Sequence, residues 1–442
     1  MHKRSGVSLA IMVCLGLLLV ACGDTKKEAE RTVEALYLPD LDNLFQDYEQ
    51  MERRKDFDSF ARKIVRANRD LQSSELYIEA ASLYYQAGLQ DSALIFIHKA
   101  IDHGMSNPVI LKKFKGLDER TGPLFNQLAI RLDSLDRELK DISHFELVAT
   151  SMNTFWPFFD KALSDKPNAI RYLKEYILNG PPEIRDYFAI RYYNPENMYG
   201  QMINGSPKYY AYLKKHFDSE NLQGLKKKTV ASLEHFSQLY PRAVYPKVYI
   251  VPGLLNSGGT ASEMGLFIGA DMYGKSAEMP QNELTEWQRE AIMESEAIPS
   301  LILHEFMHFQ QNYGDDTEKE LVFYKIIEEG VCDFLVELSK GVPLENEQLL
   351  YLSEPVKMAQ ILKELQEEFF SEDLSKWMYN GGAIEDRPSD LGYALGYLIA
   401  KSFYENSQDK GKAISELLTT NDMRFIYLNS DFAFLLEKAP TL

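Results

Sequence analysis

Cysteine, basic charge and histidine are all scarce in this sequence, and each shortage excludes something. Three cysteines occur in 442 residues, Cys14, Cys22 and Cys332. The first two fall in one N-terminal apolar stretch, so the body holds a single thiol and no disulfide framework. Lys and Arg total 48 against 66 for Asp and Glu, a net charge of −18, which argues against a nucleic-acid or anionic-membrane surface. Beyond residue 21 no apolar run is long enough to span a bilayer. Of eight histidines, six lie at or before His235 and none follows His308, so any histidine chemistry in the second half rests on His304 and His308. What the chain has in quantity is 45% hydrophobic residues, enough to bury a sizeable core in two domains.

The N-terminus reads as an export signal. His2, Lys3 and Arg4 precede an apolar run from Val7 to Ala21, too short and asymmetric for an ordinary spanning helix. The run ends Leu19-Val20-Ala21-Cys22-Gly23, which resembles the bacterial lipobox, where cleavage exposes a cysteine that carries lipid. The expectation is a signal peptide over residues 1–21, lipidation at Cys22 and location in the bacterial cell envelope, at the outer membrane or periplasmic face. Cleavage would remove Lys3 and Arg4 and leave a net charge of −20. Residues 22–40, rich in Lys, Glu, Asp and Thr, suit a tether.

Residues 41–142 carry a helical pattern. Within it, Ala81, Tyr84, Ala93, Ile97 and Ala100 take the spacings of a tetratricopeptide helix pair with Ala87-Gly88-Leu89 at the turn, and the stretch resembles one such repeat. A plain helical hairpin with small residues at its seam is the competing reading. From residue 143 to 442 aromatics become dense and Pro, Gly and Asn punctuate the chain, signalling a second domain. Strands are expected at 247–251 and 265–272, with a turn at 256–260 between them and the second strand at the sheet edge. Two long helices are expected at 299–312 and 317–340.

Those two helices hold the chemistry. His304-Glu305-Phe306-Met307-His308 is an HExxH motif in an apolar helical run, so both imidazoles share a face and can ligate one ion, with Glu305 turned toward an attacking water. A third ligand must be a carboxylate or Cys332. Glu329 lies 21 residues beyond His308, and Asp333, one turn further, can accept a hydrogen bond from a ligating imidazole and fix its tautomer. Glu328 is the rival by one residue, but its face would carry Cys332 in place of that carboxylate. Cys332 itself reads as a small buried residue.

This arrangement resembles the gluzincin metallopeptidases. Through VYIVPG, NSGGTAS, GLFIGADMYG, HEFMHFQQ, EEGVCDFLVEL and RPSDLGYALGYLIAKSFY, most of residues 245–405 resembles a bacterial group described as predicted zinc-dependent proteases, related to gliding-motility lipoproteins. The resemblance implies an α+β, zincin-like catalytic domain with Zn²⁺ on His304, His308 and Glu329 and Glu305 as general base. An oxyanion donor is also needed, and Tyr393 is the first choice, with Tyr397 and Arg387 behind it. Gly269–Ser276 fits the P-loop expression, but Asp271 adds an anion and Met272 and Tyr273 add bulk where backbone N–H groups should converge, so a nucleotide site is rejected. The expected function is a lipid-anchored zinc peptidase acting on peptides or proteins. The competing class is a non-catalytic binding or assembly lipoprotein whose helical region docks a protein partner.

Overall fold

The computed structural model describes residues 37–46, 48–117, 122–314, 318–380, 384 and 386–438. The signal peptide, Cys22 and most of the tether lie outside the described residues. The chain is α+β, predominantly helical with one four-stranded sheet.

Four helices dominate the first part: Phe57–Ala67, Ser74–Gln86, Gln90–Asp102 and Pro123–Leu139. The middle two form a hairpin. Ser73 caps the first by accepting from the Leu76 amide, and Gly88 makes the turn at φ +77, a conformation glycine adopts without cost. Ala80, Ala81, Ala93 and Ala100 are fully buried along the seam, and Tyr84 stacks on Phe96 with centroids 5.3 Å apart. This hairpin is bonded to the rest of the molecule. The buried Asp186 carboxylate accepts from the Ser73 hydroxyl and the Ser74 amide, both at 2.6 Å, and the Ser106 amide donates to the Glu263 carbonyl at 2.8 Å. One continuous apolar cluster runs from Leu41 to Leu435.

The sheet comprises β1 (Leu147–Val148), β2 (Val248–Val251), β3 (Gly259–Ala261) and β4 (Leu266–Gly269), in the order β1-β2-β4-β3. β1, β2 and β4 are parallel, and β3 runs antiparallel to β4 with Thr260 opposite Phe267. This corrects the expected edge. Leu266–Gly269 is an inner strand, buried along its whole length as a strand paired on both sides must be. The edge is β3, in the segment expected to be a turn, and its small, half-exposed residues suit a strand paired on one side only. The former P-loop candidate turns through a 3₁₀ segment, Ala270–Tyr273, and the next helix begins only at Glu286. Asp271 is fully buried there and accepts from the amides of Gly253, at 2.8 Å, and Leu255. It pins the loop after β2. Burial pushes its pKa up to about 6 against those hydrogen bonds.

Three helices complete the frame of the site: Ile298–Gln310, Val322–Lys340 and Leu391–Asn406. The first carries HExxH and the second Glu329. The third crosses the second at Gly330 and Gly396, where the backbones approach so closely that a β-carbon on Gly396 would collide with the Ile326 carbonyl.

Candidate metal centre

The HExxH helix opens with Pro299 in its first turn, where a missing N–H costs nothing, and buries Ile302, Leu303, Phe306 and Met307. That apolar stripe fixes its rotation and leaves His304 and His308 half-buried toward the neighbouring helix, with Glu305 half-buried beside β3. The Val322–Lys340 helix ends at Gly341 in the left-handed conformation, φ +65, and presents Glu329 and Asp333 one turn apart.

His304 Nδ1–H donates to Asp333 Oδ1 at 2.8 Å, which turns Nε2 toward Glu329 Oε2 at 3.1 Å. His308 Nδ1–H donates to Gln311 Oε1 at 2.8 Å, and its Nε2 faces the same Glu329 oxygen at 3.3 Å. Both Nε2 atoms therefore face one carboxylate oxygen. Tetrahedral zinc with ligand bonds of about 2.0–2.2 Å holds neighbouring ligand atoms roughly 3.3–3.5 Å apart, and the two separations from Glu329 Oε2 are close to that. Electrostatics agree. Burial disfavours a charged His304, but its hydrogen bonds with Asp333 and Glu329 outweigh this and hold its pKa well above the usual imidazole value. Burial would raise Glu329, yet the two imidazoles hold it far below the carboxylate range. The cluster thus favours positive charge between two nitrogens and a carboxylate, as a proton or a metal supplies.

Glu328 stands apart, its carboxylate paired with Lys325 Nζ at 2.6 Å. Cys332 comes closer than the sequence reading allowed. Donor atoms of His304, His308 and Cys332 lie within 4.8 Å of one another, and the buried sulfur is 3.5 Å from His308 Nδ1. Burial pushes its thiol pKa up, and ligation through His308 Nδ1 would sacrifice the Gln311 bond. Glu305 lies against the edge strand: a β-carbon on Gly259 would stand 3.2 Å from its Oε1.

Tyr393 places its ring 6.3 Å from the His304 ring and 6.2 Å, edge-on, from Tyr379. Burial, together with the charge of Glu329, keeps its hydroxyl protonated far above neutral pH. Tyr397 and Arg387 are not brought to the site. Tyr397 donates to Glu337, and Arg387 donates to Glu364 and to the Lys376 carbonyl, both at 2.9 Å.

Two contributors escaped the sequence reading. Tyr379, at φ +58, donates its hydroxyl to Glu329 Oε1 at 3.1 Å. Gln311 holds His308 and donates to the Glu328 carbonyl at 2.6 Å, tying the end of the HExxH helix to the Glu329 helix. Gln311 sits three residues beyond the second histidine, a weak local signal; for Tyr379 the sequence carries none.

No protein-family model, curated protein or solved structure matches the chain. Among the described residues no helix is long and apolar enough to cross a membrane.

Proposed function

We propose that this chain is a zinc-dependent peptidase of the gluzincin type, with its metal on His304, His308 and Glu329. The observation that carries the reading is the meeting of both Nε2 atoms with one Glu329 oxygen at 3.1 and 3.3 Å, each imidazole oriented by its own Nδ1 acceptor. When bound, zinc supplies Lewis acidity toward water and a substrate carbonyl. Glu305, beside β3, takes the proton of the attacking water and returns it to the leaving amine. An extended peptide pairs with the free edge of β3, which lays its scissile bond across the HExxH helix. Tyr393 and Tyr379, both protonated at neutral pH, are the nearby phenols able to donate to the oxyanion. Tyr379 also holds the ligand carboxylate.

The helical region over 41–142 belongs to the same proposal as a tetratricopeptide-like domain, and Cys22 as the lipid attachment that tethers the enzyme to the envelope. The test is peptide-library cleavage by the purified chain and by Glu305→Gln, which removes the base and spares the ligands. The expected result is cleavage by the first and a loss of at least about 10²-fold in the second at equal zinc content. Equal turnover by both would refute the assignment of Glu305.

A further inference from the structure

A cavity of about 270 Å³ opens beside His308 at the seam between the N-terminal helices and the catalytic half. Its far wall is the loop of Asn107, Pro108 and Val109, and its near wall holds His308 and Phe309. The floor of the seam is the turn that directly follows β3, including Glu263.

This wall is built rather than incidental. The Ser106 amide donates to the Glu263 carbonyl at 2.8 Å, the Ser106 hydroxyl to the Met264 carbonyl at 2.7 Å, and Asn107 Nδ2 to Glu263 Oε2 at 2.7 Å. Lys113 pairs with the other Glu263 oxygen, and the Glu263 amide donates to Glu75 Oε1 at 2.7 Å. Two carboxylates line the cavity, and each is paired with a lysine: Glu263 with Lys113, and Asp136 with Lys140 at 2.6 Å. What the cavity offers an occupant is mostly apolar surface, from Pro108, Val109, Leu139, Val244 and Phe309, with polar groups of Ser106, Asn107, Ser262 and Gln311 at its walls. Val109 is 50% exposed, an apolar side chain left at the mouth. The volume falls just below the roughly 300 Å³ lower bound of small-molecule pockets, which is the scale of one bulky side chain.

We infer that this cavity is a substrate pocket in which the N-terminal helical region selects a bulky apolar side chain of a peptide lying along β3. The inference rests on the peptidase reading and adds its substrate class. β3 leads directly into the turn that floors the cavity, so an extended chain paired with β3 delivers alternate side chains to one face, and one of them reaches the pocket beside His308. Burying a Leu or Phe side chain there predicts a preference of about ten-fold or more over Gly, Lys or Glu. The helical region is then part of the specificity machinery.

Binding can be read without turnover, by fluorescence anisotropy of labelled alanine-rich peptides with one guest residue, using zinc-loaded Glu305→Gln protein. Leu and Phe guests should bind about ten-fold or more tightly than Gly, Lys and Glu guests. Val109→Trp, which fills the mouth, and Val109→Glu, which charges it, should each abolish the preference, and neither alters a buried position. Equal binding of all guests, or a preference surviving both substitutions, overturns the pocket. Turnover of the same peptides by the unsubstituted chain tests the peptidase reading separately. Selective binding without turnover supports the pocket and counts against the peptidase, whereas turnover indifferent to the guest overturns the pocket alone.

Discussion

Replacing Asp333 probes the proposed centre without touching a metal ligand. Its carboxylate accepts from His304 Nδ1 at 2.8 Å, and both side chains are largely shielded, at 15% and 22% exposure. That bond selects the tautomer with Nε2 free to ligate, so Asp333→Ala leaves an unpaired N–H and lets the ring rotate or switch tautomer. Loss of such an orienting partner weakens metal binding by about 10- to 100-fold, or roughly 1.4–2.8 kcal/mol. Asp333→Asn keeps an acceptor oxygen and should lose less. Glu328→Gln is the matched control, because Glu328 pairs with Lys325 away from the cluster. Zinc titration against a competing chelator reads all three variants. The reasoning is refuted if Glu328→Gln strips the metal while Asp333→Ala binds with unchanged affinity.

Two further outcomes follow from packing and burial. Gly396→Ala forces a β-carbon into the Ile326 carbonyl at the helix crossing, and should lower stability by about 1–3 kcal/mol and depress the melting temperature by several degrees, measured by calorimetry. An unchanged melting temperature would show that the helices part freely. Burial, reinforced by the charges of Asp186 and Glu263 and opposed by Lys113, pushes the Glu75 pKa up to about 8. A folded-state pKa raised above the unfolded value means stability that is complete below about pH 4.5 and falls as pH rises toward 8. Glu75→Gln, which keeps the acceptor oxygen, should therefore flatten that decline, and thermal unfolding between pH 5 and 9 with an unaltered slope would contradict it.

Legibility followed locality. His304 and His308 share a face because an α-helix repeats every 3.6 residues, so HExxH in an apolar run fixes its own geometry. The Glu329–Asp333 pair was readable for the same reason, as a one-turn spacing on a single helix. The observed helix Ile298–Gln310 lies within two residues of expectation at each end, whereas Val322–Lys340 ends where expected but starts five residues later. Tyr379 reaches the cluster, and Gln311 reaches the Glu328 carbonyl, through tertiary placement across separate elements, which spacing does not encode. The edge strand was missed because Gly259–Ala261 has three small residues and no apolar alternation, while Leu266–Gly269 is apolar on both faces and only its partners distinguish an inner strand from an edge. Tyr397 shows the same limit. The helical period groups it with Tyr393, but the neighbouring helix sends its hydroxyl to Glu337, away from the cluster.

The central claim is that His304, His308 and Glu329 together hold one zinc ion. Elemental analysis of the chain purified with zinc and dialysed against a weak chelator, beside His308→Ala and Glu329→Gln prepared identically, tests it most directly. The account predicts about one zinc per unsubstituted chain and near-complete loss in both variants, because two remaining protein ligands bind too weakly. Near-stoichiometric zinc retained by either variant would contradict it.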